Sequence, residues 1–299
     1  MKLTFATRPS ALARWQTNYI VEQLQEAWED LRCEELIIKT TGDRILDIPL
    51  PEVGGKGLFT HELEAALREG RVDAAVHSLK DLPTEDSPGL SIGLITERAD
   101  ARDVLISPEG LELDDLPQGA VVGTSSNRRA AQLLAYRPDI LVKSIRGNVD
   151  TRLRKAGTDE YDAIILAAAG VTRLGLQAHI SQYLPYEILL PAPGQGALAV
   201  QCRAGDEDTL KLLRALEHPP TRLAVTAERA FLEALGGGCS LPVGALALVR
   251  EQGIELQGVI ASPDGTRIQR LSATHSDPIE LGHELAQRAI ADGAGALLS

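Results

Sequence analysis

The 299-residue sequence has only three cysteines, Cys33, Cys202 and Cys239. They are too few and too scattered for a disulfide framework, and no two of them form the Cys-x-x-Cys pair that indicates zinc. The six histidines form no cluster that would support a catalytic metal. We therefore expect reduced thiols, and the sequence predicts no metal site.

Positive charge and long apolar runs are also scarce. The chain carries 30 Lys and Arg against 42 Asp and Glu, a formal net charge of -12, which argues against broad binding of nucleic acid or anionic membranes. No apolar run approaches membrane-spanning length, and the amino terminus lacks the pattern of a secretion signal. We expect a cytoplasmic protein with no nucleic-acid and no membrane partner, in which any anion site is local.

Nucleotide-binding motifs are missing as well. The run 54–57, Gly-Gly-Lys-Gly, lacks the glycine that a phosphate-binding loop needs at Leu50 and the Ser or Thr that it needs at Gly57. No strand-Gly-x-Gly-x-x-Gly-helix unit indicates a dinucleotide site. The run instead predicts a flexible lid that bears Lys56, with a simple surface turn as the alternative.

The order of the segments predicts an α/β architecture. β-like runs alternate with helical spacings of apolar residues, which favours parallel sheets covered by helices. The polar run 97–103 and the Pro- and Gly-rich run 191–196 interrupt this alternation and are the predicted crossings between domains. The tail has the pattern of a smaller α+β domain. The predicted domains are 1–97 plus 197–216, 103–192, and 220–299.

A lysine and an aspartate directly follow a buried-looking strand in the run 76–83, Val-His-Ser-Leu-Lys-Asp-Leu-Pro. α/β sheets commonly place their ligands at such strand ends, so Asp81 is a catalytic candidate and Lys80 a binding candidate. Without support from neighbours, Asp81 would be a turn residue before Pro83 and Lys80 a solvated strand end. His77 fits a core histidine better than a base.

Arginines collect where predicted strands give way to helices. A helix that begins at Asn127 has free N–H groups that favour an anion, and guanidinium forks bind carboxylates in bidentate pairs. A solvated surface explains any one of these arginines, but several at equivalent sheet edges predict a polyanionic ligand in a cleft between domains. The residues predicted for this site are Arg8, Ser10, Ser126, Arg128, Arg129, Arg146, Arg152 and Arg173.

Cys239 follows the three glycines Gly236, Gly237 and Gly238. Glycine leaves φ unrestricted and lets the backbone approach a bulky group closely. An isolated free cysteine usually behaves as a small buried hydrophobe. Only together with the predicted anion site does this loop indicate a tethered thiol that carries a group.

These stretches together resemble the porphobilinogen deaminase family, also called hydroxymethylbilane synthase, over essentially the whole chain. The resemblance implies an α/β fold with two periplasmic-binding-protein-like (type II) domains and a smaller C-terminal α+β domain that presents the cysteine loop. It also implies a monomer. The residues that carry it are 53–59, 76–81, 122–126, Arg128, Arg129, 146–148, 194–197 and 237–239.

The resemblance further implies a transferase. Cys239 would hold a dipyrromethane cofactor through a thioether, and four molecules of the small-molecule substrate porphobilinogen would be added with loss of ammonia before hydrolysis releases hydroxymethylbilane. Asp81 would hydrogen-bond pyrrole N–H groups and stabilise the cationic azafulvene that forms as ammonia leaves. Each pyrrole brings acetate and propionate groups, so the growing chain is a polycarboxylate that needs many arginine forks.

Binding roles follow from the same resemblance. The residues implied to hold the cofactor, besides Cys239, are Lys80, Ser126, Arg128, Arg129, Arg146 and Gln195; those implied for substrate are Arg8, Ser10, Lys56, Arg152 and Arg173. Four positions depart from the family: Glu52 and His61 stand where lysine is common, Asn127 replaces a leucine, and Gly236 replaces a glutamate. A carboxylate at Glu52 would repel a polyanion if it faced the cleft.

Two other classes stay open. The βα alternation alone also fits a non-catalytic anion-binding clamp, although such a clamp needs neither the tethering loop nor a third domain. A ligand-responsive transcription factor fits less well, because this acidic chain contains no recognisable DNA-binding helix pair.

Overall fold

The computed structural model describes residues 1–44, 57–85, 87–238 and 241–298. Its strands are β1 (Lys2–Thr7), β2 (Arg32–Ile37), β3 (Ala74–Ser78), β4 (Leu90–Ile95), β5 (Asp103–Ile106), β6 (Val121–Gly123), β7 (Leu141–Lys143), β8 (Ala163–Ala167), β9 (Gln182–Tyr183), β10 (Leu198–Arg203), β11 (Val243–Arg250), β12 (Gly253–Ala261) and β13 (Ile268–His275). Its helices are α1 (Ala11–Ala27), α2 (Thr41–Arg44), α3 (His61–Arg68), α4 (Asn127–Tyr136), α5 (Val149–Ala156), α6 (Ala168–Arg173), α7 (Glu207–Leu213), α8 (Pro219–Ala234) and α9 (Pro278–Ala291).

Two five-stranded sheets repeat one pattern of strand order. The first runs β2-β1-β3-β10-β4 and the second β7-β6-β8-β5-β9. In each sheet one strand, β10 or β5, is antiparallel to both of its neighbours. Each of these is the first strand that the chain forms after it crosses from the other sheet, so it enters from the opposite end. This crossing of the chain between two sheets of like strand order is the arrangement of two type II periplasmic-binding-protein-like domains. The antiparallel strands β10 and β5 depart from the predicted parallel sheets.

Helices cover both faces of the first sheet. Successive residues of a strand point to opposite faces, and Phe5 and Ala6 accordingly belong to different apolar clusters. Phe5 packs in the cluster that contains Leu24 of α1, and Ala6 packs in the cluster that contains Leu63 and Leu67 of α3. Polar side chains are therefore concentrated at the strand ends, where the chain turns.

The C-terminal part forms a separate small sheet with antiparallel order β11-β12-β13. Helices α8 and α9 pack on it, and its core contains Phe231, Leu256 and Leu285, each no more than 1% exposed. The two helices approach closely at Gly282, where a Cβ would lie 2.6 Å from the Ala227 carbonyl oxygen. The glycines that precede Cys239 follow the end of α8, so this unit carries the predicted tether.

The predicted alternation is confirmed for most elements, but β4, β5 and β9 were missed. Helix α8 begins at Pro219, because His218 Nδ1 accepts a hydrogen bond from the Thr221 N–H and caps the helix. The predicted domain limits stay a prediction. Within the described ranges, no helix combines the length and apolar character needed to cross a membrane.

Candidate active site

The centre of the site is Asp103, which is the last residue of the first crossing and the first residue of β5 and is fully buried. Its Oδ2 accepts a hydrogen bond from Arg128 Nη2 at 2.7 Å, and its Oδ1 accepts one from Arg129 Nη2 at 2.6 Å. Burial alone would raise the pKa of the Asp103 carboxyl, but the two guanidinium groups outweigh burial and hold that pKa far below its ordinary value. Asp103 is therefore a buried anion.

Arg128 and Arg129 lie in the first turn of α4, where the sequence predicts them, and both are buried. Each also donates to a main-chain oxygen: Arg128 Nη1 to Leu190 O at 2.6 Å, and Arg129 Nη1 to Ile165 O at 3.1 Å. Much of each guanidinium fork is thus occupied within the protein. The sequence analysis identified both arginines but missed Asp103, which it treated as part of a polar crossing.

Gln195 joins this cluster to the first sheet. Its Nε2 donates to Asp103 Oδ1 at 2.9 Å and to Ala101 O at 2.7 Å, and its Oε1 accepts from Lys80 Nζ at 3.2 Å. Lys80 follows β3, so one amide bridges the ends of strands from both sheets. Burial, and then Arg129, lower the pKa of Lys80 to about 8.

Asp81 is the exposed carboxylate of this region and ends the short turn after β3. Its negative charge opposes the lowering of the pKa of Lys80 and of Arg152, so it lies among the cations of the cleft. Lys80 and Asp81 both lie in this short turn directly after β3. The catalytic role of Asp81 stays a prediction.

Arg146 and Arg152 come from the segment after β7, and both are half-buried. Arg152 Nε donates to Gly147 O at 2.8 Å. Burial, followed by repulsion from Arg129 and Arg146, lowers the pKa of Arg152 to about 10. Crowded cations of this kind form a site whose electrostatic strain a polycarboxylate would relieve.

Arg173, at the end of α6, contacts both the second crossing and the first domain. Its Nη2 donates to Gly196 O at 2.7 Å, and its guanidinium carbon lies 5.7 Å from the centre of the Trp15 ring of α1. Burial lowers the pKa of Arg173 to about 10, although Tyr19 acts to raise this pKa. The predicted substrate arginine is therefore also a contact across the cleft.

Arg8 follows β1 and bonds through Nε and Nη2 to the two carboxylate oxygens of Asp43. Its guanidinium carbon lies 4.2 Å from the centre of the Phe59 ring. Asp43 is a second partner that the sequence analysis missed. Burial alone would raise the pKa of Asp43, but Arg8 and Thr40 lower it.

The two predicted serines cap helices. Ser10 Oγ accepts from the Ala13 N–H at 3.3 Å at the start of α1, and Ser126 Oγ accepts from the Arg129 N–H at 3.5 Å at the start of α4. Such caps satisfy one free N–H of the first turn. Both hydroxyls therefore fix the backbone at strand-helix junctions that bear arginines.

Cys239 and Lys56, together with Glu52, lie outside the described residues. The glycines before Cys239 are described, and all three have positive φ values of 103°, 63° and 110°. A Cβ at Gly237 would lie 3.1 Å from Thr84 Oγ1. A small pocket beside this loop is lined by Lys80, Pro83, Thr84, Arg229 and Gly238, among others. The base of the predicted tether is thus adjacent to the segment that bears Asp81.

Two family profiles cover this chain. "Porphobilinogen deaminase, dipyromethane cofactor binding domain" matches residues 3–211, and "Porphobilinogen deaminase, C-terminal domain" matches residues 222–291. The chain belongs to the porphobilinogen deaminase family. The porphobilinogen deaminase of Brevibacillus brevis is 54% identical over 100% of this chain and 97% of its own length. That of Moorella thermoacetica is 50% identical over 100% of this chain and 96% of its own length.

Solved structures of other proteins align with about 70% of this chain. The VFT2 domain of Bordetella pertussis BvgS is 18% identical over 71% of this chain and 84% of that chain, with a TM-score of 0.42. The effector-binding domain of BenM with benzoate is 14% identical over 72% of this chain and 90% of that chain, also with a TM-score of 0.42. At these scores neither likeness bears on ligand or chemistry.

The charged side chains of the site fit the group that the porphobilinogen deaminase family binds. Lys80 and Arg152 are cations whose pKa values are lowered by burial and by neighbouring arginines, and ligand carboxylates would offset both effects. Among the described residues, no group of three or more His, Cys, Asp or Glu side chains is placed to hold a metal ion. The cations Lys80 and Arg152 suit an organic polyanion.

Proposed function

We propose that this protein is a transferase that condenses four porphobilinogen molecules head to tail on a covalently bound dipyrromethane primer. Ammonia leaves at each addition, and hydrolysis finally releases hydroxymethylbilane. The observation that carries the proposal is the exposed carboxylate of Asp81, whose charge acts on the cations Lys80 and Arg152. The adjacent Lys80 lines a pocket together with Gly238 of the glycine loop that leads to Cys239. Identity of about 50% to porphobilinogen deaminases over the full chain supports the same activity.

Dipyrromethane would be held by Lys80, Ser126, Arg128, Arg129, Arg146 and Gln195, and attached at Cys239. When bound, it supplies the free pyrrole end to which each substrate unit is joined. Lys80 is the cation best suited to its carboxylates, since its ammonium already lies at a buried strand end and is oriented by Gln195 at 3.2 Å. The glycines before Cys239 allow the left-handed backbone that leads to the attachment point.

Porphobilinogen would be bound by Arg8, Ser10, Lys56, Arg152 and Arg173. The guanidinium groups would pair with its acetate and propionate carboxylates, which fixes the substrate ring relative to Asp81. Asp81 would accept a hydrogen bond from a pyrrole N–H and stabilise positive charge on the substrate as ammonia leaves. Its exposure leaves it accessible to the ligand, whereas the carboxylate of Asp103 is fully buried.

We further propose that the chain is a cytoplasmic monomer with three domains, 1–97 plus 197–216, 103–192, and 220–299. Three separate sheets support this division. Gel filtration with light scattering tests the monomer, and limited proteolysis tests the two crossings as the boundaries.

Intact-protein mass spectrometry of freshly purified protein, followed by peptide mapping around Cys239, tests the attachment. We expect added mass equal to two linked pyrrole units, located on Cys239, and no added mass in a folded Cys239→Ser variant. A serine variant that still carries covalent pyrrole would show that the attachment point is wrong. Unmodified wild-type protein that also acquires no adduct from porphobilinogen would instead favour an anion-binding clamp.

A further inference from the structure

The oxygens of Asp103 accept hydrogen bonds from the side chains of Arg128, Arg129 and Gln195, and each of these three is itself a predicted site residue. Oδ2 is bonded to Arg128, and Oδ1 is bonded to Arg129 through both Nε at 3.1 Å and Nη2 at 2.6 Å. Oδ1 also accepts from Gln195 Nε2 at 2.9 Å. A carboxylate with several charge-assisted donors is fixed in both position and orientation.

Charge balance explains why a carboxylate is required at this position. Arg128 and Arg129 are adjacent in sequence and only 4% and 6% exposed, and Asp103 is 0% exposed. Two buried guanidinium groups without a counter-ion would each carry a large desolvation cost. Asp103 neutralises one of the two charges and leaves a surplus of one positive charge, which an anionic ligand can use.

The same carboxylate connects the two crossings of the chain. Asp103 is the last residue of the first crossing, and Gln195 lies in the second. Gln195 Nε2 also donates to Ala101 O in the first crossing, at 2.7 Å. Its Oε1 is therefore directed at Lys80 Nζ, since the amide plane is fixed by the two bonds of its nitrogen.

We propose that Asp103 is a positioning residue of the site. It holds Arg128, Arg129 and Gln195 in one arrangement, and through Gln195 it holds the ammonium group of Lys80 at the end of β3. This inference rests on the proposed function only in treating these residues as ligand contacts. Their hydrogen-bonded arrangement does not depend on catalytic activity.

The pKa of Lys80 depends on this arrangement of charged groups. The charged groups that act on Lys80 are Arg129 and Arg128, which lower its pKa, and Asp81 and Asp103, which raise it. Removal of the Asp103 charge would leave both guanidinium groups uncompensated beside the ammonium. The pKa of Lys80 would then fall further below about 8.

Asp103→Asn tests the proposal because it keeps the shape and removes the charge. The rate of acetic anhydride labelling of Lys80, followed by peptide mass spectrometry across pH, gives the midpoint of Lys80 titration without any activity assay. Variants are compared with wild type at the same cofactor loading, measured by intact mass. We expect the midpoint to move to lower pH in Asp103→Asn.

Asp73→Asn is the matched control, since Asp73 also pairs with an arginine, Arg203, but outside the site. We expect the midpoint of Lys80 titration to be unchanged in this variant.

Gln195→Met provides a second test in case Asp103→Asn does not fold, because it leaves the pairs between Asp103 and both arginines intact. We expect a smaller shift of the Lys80 midpoint in the same direction. An unchanged midpoint in every folded variant overturns the proposal. A shifted midpoint in the variants, together with wild-type protein that forms no hydroxymethylbilane, would support the positioning role while contradicting the proposed function.

Discussion

At the scale of single residues, the site separates carboxylates that neutralise arginines from one that faces solvent. Asp103 is fully buried between Arg128 and Arg129, and Asp43 is bonded to Arg8. Asp81, by contrast, is exposed at the end of a strand. The first two aspartates can orient cations, and the third can contact a ligand. Catalytic tests should therefore begin with Asp81.

Asp81→Asn should leave the dipyrromethane adduct in place and lower turnover of porphobilinogen. Asparagine keeps an oxygen that accepts a hydrogen bond but loses the negative charge that stabilises a developing cation. Loss of such stabilisation lowers the rate on the order of a hundredfold to a thousandfold. Ammonia release and intact mass measure the two effects separately. Asp159→Asn, at an exposed loop position, serves as the control. Turnover near wild type in Asp81→Asn would remove this residue from the mechanism.

His77 is a buried histidine of β3, only 6% exposed. Burial, and then Arg8, lower its pKa from 6.5 to about 4, with Gln201 opposing. The unfolded chain therefore takes up the proton first as pH falls. The contribution of neutral His77 to stability is complete above about pH 6.5 and is lost between 6.5 and 4.

Urea unfolding at several pH values should reveal this loss. Between pH 6.5 and 4, wild-type protein should lose up to about 3 kcal/mol more unfolding free energy than His77→Gln. The comparison concerns the pH dependence, so a constant destabilisation of the variant does not matter. Parallel curves for the two proteins would mean that His77 does not change its protonation on unfolding in this range. His275→Gln, at the half-buried last residue of β13, is the control.

At the scale of elements, the second crossing is built on a close main-chain approach. Gly196 has a φ of +91°, and a Cβ there would lie 2.5 Å from the Ala99 carbonyl oxygen in the first crossing. Its own carbonyl accepts from Arg173 and from the Ala99 N–H. The two crossings therefore lie side by side only because this residue has no side chain.

Gly196→Ala and Gly205→Ala form a matched pair, because Gly205 has a φ of +90° but open space around its Cβ position. Both variants should lose about 1–2 kcal/mol of unfolding free energy from the left-handed backbone. Gly196→Ala should lose roughly a further 1–3 kcal/mol from the clash with Ala99. Equal losses, measured by urea unfolding, would show that the crossings can separate without cost.

Local patterns in the sequence predict individual elements well but not their long-range partners. The strand-helix junctions at Arg8 and at Arg128 follow from periodicity and helix caps, which depend on near neighbours. Asp103 pairs with residues 25 and 26 positions away and with Gln195, 92 positions away, and no local pattern contains that pairing. β5 was missed for the same reason, since its charged first residue is stable in a buried strand only because of these distant donors.

At the scale of the whole molecule, one buried glutamate connects the C-terminal unit to both crossings. Glu228 of α8 is 0% exposed. Its Oε1 accepts from Arg98 Nη1 and from the Ala247 N–H, both at 2.8 Å, and its Oε2 accepts from Arg98 Nη2 and from the Gly194 N–H, both at 2.7 Å. Arg98 lies in the first crossing and Gly194 in the second. Helix α8, which leads to Cys239, is thus fixed relative to both crossings.

Glu228→Gln should loosen this connection, because all four hydrogen bonds to Glu228 come from donor groups and one end of a glutamine is also a donor. An amide N–H₂ would face either Arg98 and Ala247 or Arg98 and Gly194, and the Arg98 charge would lose its counter-ion. We expect a loss of about 3–5 kcal/mol. In calorimetry the C-terminal unit should then unfold at a lower temperature than the rest.

Glu255→Gln is the control, since it removes the exposed pair with Arg250 and should cost less than about 1 kcal/mol of unfolding free energy. If both variants retain the wild-type transition, the buried glutamate does not hold the tether unit in place, and its fixed position would have to come from the apolar contacts of Leu246 and Val259 with Leu190.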